Sequence, residues 1–183
     1  AFDKIKNLIH SKKSENIDIN SATLITGAIS FTTCALFSDG TGKCWGDNYY
    51  GQTGNDKTGY SILIQEAQAL PFRNIQQIVS GDDYTCAVLE FGQIKCWGLN
   101  QLGQTGNDKT DNLILAKDSQ ALPFSNIQQI VTGRGHTCAV LEFGQIKCWG
   151  YNKFGQLGYS DTKNRSQPDV DDVPFFPLLE FFK

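Results

Sequence analysis

The stretch C-A-V-L-E-F-G-Q-I-K-C-W-G stands at Cys86–Gly98 and again, unchanged, at Cys138–Gly150. A looser copy, C-A-L-F-S-D-G-T-G-K-C-W-G, runs from Cys34 to Gly46. The first cysteines of the three copies are 52 residues apart, and so are the second cysteines and the tryptophans Trp45, Trp97 and Trp149. Aligning Gly51–Leu102 with Gly103–Phe154 gives 37 identities in 52 positions. A further, incomplete copy opens at Gly155, where G-Q-L-G echoes G-Q-T-G. In it Val173-Pro174-Phe175 echoes Leu70-Pro71-Phe72, and Leu178, Phe181 and Phe182 fall where Ile75, Ile78 and Val79 fall. A fixed period of this length marks a repeat architecture, in which each unit buries its apolar face on the next.

Within one unit, Ile75–Val79 is short and β-branched and ends at Ser80-Gly81. Tyr84–Leu89 and Gln93–Trp97 are two further strand candidates, and a fourth, outer strand is expected near Leu113–Lys117. The link Glu90-Phe91-Gly92 fits a three-residue hairpin loop with glycine at its left-handed position. That loop sets Val88 opposite Ile94, Ala87 opposite Lys95 and Cys86 opposite Cys96. Strands at this spacing, with W-G closing the third, predict an all-β chain of propeller blades.

The register also gives the cysteines a role. Three pairs at C-x9-C spacing, Cys34/Cys44, Cys86/Cys96 and Cys138/Cys148, predict a disulfide inside each hairpin. Buried free thiols are the alternative, since cysteine is common in cores. Zinc is disfavoured by the absence of a C-x2-C knuckle and by a chain holding only two histidines. Three disulfides imply an oxidising compartment: extracellular, cell-surface or periplasmic.

The run G-R-G-H-T-C-A-V-L-E-F-G-Q-I-K-C-W-G-Y-N-K-F-G-Q-L-G, Gly133 to Gly158, resembles the RCC1-like (regulator of chromosome condensation) repeat family. The resemblance covers residues 22 to 183. It implies a propeller, seven-bladed in the family, whose loops on one face bind proteins. The implied activities vary: guanine nucleotide exchange on a small GTPase, appendages of ubiquitin ligases, and secreted inhibitors. Two departures stand out. There are about three repeats rather than seven, and the cysteine pairs are not something a nuclear exchange factor needs.

The 15 differences between the two close copies fall mainly in three clusters. Asp82, Asp83 and Tyr84 face Arg134, Gly135 and His136. Leu99, Gln101 and Leu102 face Tyr151, Lys153 and Phe154. Residues 59–67 face residues 111–119. In an up-and-down blade the first two clusters share a rim, and loops on a rigid scaffold are where binding concentrates. The expected partner-binding rim comprises Tyr49 and Tyr50 from the first unit, Asp82 and Tyr84 from the second, and Arg134, His136, Tyr151, Lys153 and Phe154 from the third. Aromatics with arginine suit a protein partner, or a carbohydrate. For Tyr84 and His136 a local role is the alternative, with the ring capping the loop before its strand.

No nucleophile, acid–base pair, metal set or phosphate loop stands out, so the expectation is a non-enzyme without cofactor or metal. The net charge of -3 and the lack of a basic run argue against nucleic acid. No apolar run approaches the roughly 20 residues of a membrane span. Asn164-Arg165-Ser166 is a glycosylation sequon for a secreted eukaryotic protein.

Residues 1–21 lie outside the repeat and read as a short amphipathic helix, from Phe2, Ile5, Leu8 and Ile9, followed by a linker. Residues 22–183 form the repeat domain. The apolar end, with Leu178, Leu179, Phe181 and Phe182, reads as the first strand of another blade, pairing between blades or between chains. An open arc exposes apolar blade faces, which soluble proteins avoid. The expectation is therefore a partial propeller, completed by other chains or by more of a longer protein. The functional expectation is an extracellular binding or structural module of a surface assembly. A secreted inhibitor or receptor-type binder is the second reading, and an exchange factor for a small GTPase the third.

Overall fold

The computed structural model describes residues 21–26, 30–107, 110, 113–122, 125–168 and 173. The N-terminal helix and the strand around Leu178–Phe182 lie outside these residues. Blade one comprises β1 (Ala22–Thr26), β2 (Thr32–Phe37) and β3 (Gly42–Gly46). Blade two comprises β4 (Ile75–Ser80), β5 (Tyr84–Leu89), β6 (Ile94–Leu99) and β7 (Leu113–Ile114). Blade three comprises β8 (Ile127–Thr132), β9 (His136–Leu141) and β10 (Ile146–Gly150). Each blade is one antiparallel sheet in chain order, so the described elements are all-β apart from short 3-10 turns.

The hairpin register is the expected one. Val88 pairs with Ile94, Ala87 with Lys95 and Cys86 with Cys96. Blades one and three repeat it, with Cys34 opposite Cys44 and Cys138 opposite Cys148. The third strand runs to Leu99, beyond the expected Trp97, because the Leu99 amide is held by the Asp83 carbonyl at 2.9 Å. The fourth strand is shorter than expected. It is two residues in blade two and a single bridge in blades one and three, Gly46 with Ile62 and Gly150 with Arg165.

The hairpin tip departs from the expected loop. Gly92 is left-handed at φ 69°, and so is Phe91 at φ 62°. Phe143 and Gly144 repeat this at 65° and 80°. A phenylalanine is costly there, because its Cβ crowds the backbone. The tip is clamped from behind: the Asn74 side chain donates to Glu90 at 2.6 Å, and Asn126 donates to Glu142 at 3.1 Å.

The core lies between blades. The outgoing face of each blade carries the cysteines, and the incoming face of the next carries isoleucines and tryptophan. Cys34, Leu36 and Cys44 pack with Ile75, Ile78 and Trp97. Cys86, Val88, Ile94 and Cys96 pack with Ile127, Ile130 and Trp149. Leu70 donates to the Gly42 carbonyl at 2.8 Å and Leu122 to the Ile94 carbonyl at 3.0 Å, so the two linkers are bonded to the preceding blade at equivalent points. Val173 donates to the Ile146 carbonyl at 2.9 Å, placing the start of the next unit at the equivalent point on blade three.

Candidate functional site

The rim is built on a backbone frame that repeats while the side chains on it change. In each blade the loop before the second strand and the loop after the third are joined by one hydrogen bond. Asp47 donates to Phe31, Leu99 to Asp83 and Tyr151 to Gly135, at 3.0, 2.9 and 2.8 Å. These bonds place the first two variable clusters on one rim.

The loop after each W-G is shaped from within. Asn48, Asn100 and Asn152 are fully buried. Their Oδ1 atoms accept the amides of Thr53, Thr105 and Leu157 at 2.9, 3.0 and 2.9 Å. The side-chain oxygens of Gln52, Gln104 and Gln156 each accept an amide two residues earlier, at 2.9 Å. The loop then reaches into the next blade. The Gln52 carbonyl accepts from Thr85 Oγ1 at 2.8 Å and Trp97 Nε1 at 3.0 Å, and the Gln104 carbonyl accepts from Thr137 and Trp149 at 2.9 and 3.0 Å. The W-G-x-N…G-Q pattern is thus an inter-blade joint, which fixes where each rim loop stands.

On this frame Tyr49 is 63% exposed and meets Tyr50 edge-on at 5.0 Å. Phe154 is 79% exposed and meets the half-buried Tyr151 edge-on at 6.0 Å. Lys153 is exposed. Arg134 crosses from blade three to blade two, its Nε donating to Asp82 Oδ2 at 3.0 Å, and its side chain is 91% exposed. The adjacent Asp83 carboxyl is pushed above the usual range, first by burial and then by repulsion from Asp82 and Asp47. The rim therefore carries acidic groups near blades one and two, basic groups at blade three, and exposed aromatics at blades one and three.

Tyr84 does not belong to the exposed set. It is fully buried, its ring lies over Gly81, and its hydroxyl donates to the His136 carbonyl and meets Thr137 Oγ1 at 2.9 Å. Burial raises the phenol's pKa well above its ordinary value. The residue expected to touch a partner is a joint between blades two and three, because a ring that reaches across the blade interface is covered by it. His136 takes the equivalent seat over Gly133; it is half-buried, and burial lowers its pKa.

Phe31, 81% exposed, is a rim aromatic that sequence reasoning missed. The signal was available: it occupies the repeat position of Asp83 and Gly135, whose carbonyls make the frame bond. Phe91 and Phe143, 78% and 92% exposed, crown the opposite rim and were also missed. The six cysteines form the three expected disulfides, Cys34–Cys44, Cys86–Cys96 and Cys138–Cys148. Asn164 is exposed, and its Oδ1 accepts the Asn152 amide at 2.8 Å.

Comparison with known proteins brings one description three times. The regulator of chromosome condensation (RCC1) repeat matches residues 30–52, 75–104 and 127–156. The Arabidopsis thaliana ultraviolet-B receptor UVR8 is 33% identical over 125 residues, 68% of this chain and 28% of the receptor. The human probable E3 ubiquitin-protein ligase HERC4 is 31% identical over 134 residues, 73% of this chain and 13% of the ligase. The chain thus spans under a third of the curated relatives it matches. Among solved structures, yeast RCC1 (Prp20) bound to Kap60 aligns with a TM-score of 0.66 at 21% identity, covering 80% of this chain and 36% of that one. Human WBSCR16 aligns with a TM-score of 0.68 at 19% identity, covering 84% and 40%. At these identities the structures speak for the fold alone.

Proposed function

This chain is an RCC1-like repeat protein, and from that premise we propose that it works by binding another protein through the rim of Tyr49, Tyr50, Arg134, Tyr151, Lys153 and Phe154, outside the reducing cytosol and without catalysis. One observation carries the reading. The frame bonds and buried asparagines of the rim repeat from blade to blade, while the side chains mounted on them change in size, charge and aromaticity. Variation on a fixed frame is how a scaffold presents a recognition surface. Exposed aromatics beside an arginine are the side chains that dominate protein interfaces. The three disulfides support a secreted or surface location, because such bridges persist where thiols are not kept reduced.

The test places a photo-crosslinking amino acid at Tyr49 or Phe154, and at Phe91 on the opposite rim as a control. A single protein captured from the native source by the first two positions and not the third is the expected result. With that protein purified, replacing Tyr49, Arg134 and Phe154 together by alanine is expected to weaken binding at least about a hundredfold, the sum of two or three hot-spot losses. Capture through Phe91 alone would move the site to the other rim. Alkylation of the unreduced protein taken from its source is expected to find no free thiol; six reactive thiols would overturn the location.

A further inference from the structure

Residues 59–67, the third stretch in which the two close copies differ, take no part in the rim. Four of them, with residues 55–57 and 68, line a cleft of about 760 Å³ on the outer edge of blade one, a volume typical of small-molecule sites. The backbone sets its walls. The buried Asn48 donates through Nδ2 to the Lys57 carbonyl, and the Gly59 amide donates to the Asn48 carbonyl at 3.3 Å. Ile62 and Gly46 exchange both backbone hydrogen bonds at 2.8 Å. Asn55 and Ile62 form the floor, each 8% exposed. A buried carboxamide ordinarily has hydrogen-bond partners. That of Asn55 bonds to no described residue, so its donor and acceptor are left to the cleft.

We propose that this cleft binds a neutral saccharide, with Tyr60 as the stacking platform and Asn55 and Gln68 holding the hydroxyls. Tyr60 is 71% exposed and offers a ring face with a polar tip. A sugar ring divides its surface in the same way, apolar on its faces and hydroxylated at its edge. Asn55, Gln68 and Ser61 each both donate and accept, as sugar hydroxyls do. Charge argues against an ionic ligand. Asp56 is paired with Lys117 at 3.4 Å, and Glu66 Oε2 already accepts the Leu63 amide at 3.0 Å. With Lys57 counted, two acids face two bases, and the cleft is neutral. The second copy keeps the asparagine as Asn107 but has Asn112 and Leu113 where Tyr60 and Ser61 stand, and the third has Tyr159 where Asn55 stands. The full set therefore occurs in blade one alone. It uses none of the rim residues, so the inference is independent of the protein-binding reading.

The test exposes the disulfide-bonded chain to an array of neutral, sialylated and sulfated glycans and titrates the glycans bound, free in solution, by calorimetry. Binding of a neutral glycan with a Kd of about 1 mM or tighter is expected. Tyr60→Ala is expected to weaken it about tenfold and Gln68→Ala about fivefold. Both side chains are exposed, so both variants are expected to melt with the parent. The rim variant Y49A/R134A/F154A is expected to bind the glycan as the parent does. Binding of charged glycans only, or of none, would overturn the proposal. Loss of binding in the rim variant with full binding by Tyr60→Ala would move the saccharide to the rim and overturn it equally.

Discussion

Blades two and three have the same residues on their outgoing hairpins and different surroundings for them. In blade two every apolar side chain of that face is sealed by the isoleucines and tryptophan of blade three. In blade three Cys138, Val140 and Ile146 are half-covered, while Cys148 stays buried. Burial here is a property of the neighbour and not of the sequence. The disulfide is what the two hairpins share regardless of cover. It closes a short loop and restricts the unfolded chain, so each hairpin holds its register before its neighbour packs.

The largest effect is expected where both blades are equally enclosed. Trp97 and Trp149 are fully buried on incoming faces, and each donates to a glutamine carbonyl of the preceding loop. Trp97→Ala and Trp149→Ala are each expected to cost about 3–5 kcal/mol of unfolding free energy, measured by denaturant titration. A much smaller loss at Trp149 would mean that blade three is loosely attached, and the comparison would no longer concern its outgoing face alone.

Next come the paired isoleucines, which divide the two faces directly. Ile94→Ala is expected to cost about 3 kcal/mol, because the site is sealed and leaves a cavity. Ile146→Ala is expected to cost about 1 kcal/mol, because part of its surface is already in water. Equal losses would show that blade three is as fully covered as blade two.

A smaller and pH-dependent difference is expected at the seat held by Tyr84 in one blade and His136 in the next. Burial lowers the His136 pKa in the folded protein, so the unfolded chain binds the proton more readily. The stability is fully present above the unfolded value near 6.5 and is lost as pH falls through that value towards the folded one. Melting temperatures from pH 7.5 to 5 are expected to fall more for the parent than for His136→Tyr. Parallel curves would show that the histidine binds its proton equally well in the folded and unfolded states and that other groups set the acid sensitivity.

The period, the hairpin register and the cystine pairs were legible in the sequence because each rests on local spacing. A residue two places along a strand changes no face, and a loop of fixed length sets opposite partners. The role of Tyr84 was not legible, because its burial comes from a blade that begins more than forty residues later in the chain, and an aromatic beside two aspartates reads locally as surface. The left-handed Phe91 was missed for a related reason. The glycine beside it satisfied the loop rule, and the asparagine–glutamate clamp that holds the tip is made by a residue of the preceding linker. Phe31 was hidden by the divergence of blade one, although the repeat position identifies it once the frame bond is known.

The smallest expected change in stability is also the sharpest test of the rim. The Arg134–Asp82 pair joins blade three to blade two, but the arginine side chain is 91% exposed and the pair is screened by water. Arg134→Ala is therefore expected to move unfolding free energy by less than about 0.5 kcal/mol. The buried joints at Trp149 and Tyr84 hold the two blades together without it. If the rim binds a protein, the same substitution removes a guanidinium from the centre of the aromatic–basic half and is expected to weaken binding about tenfold or more. A large stability loss with unchanged binding would reverse the assignment: Arg134 would be a strut between blades, and the differences between the two rims would reflect packing of loops rather than recognition.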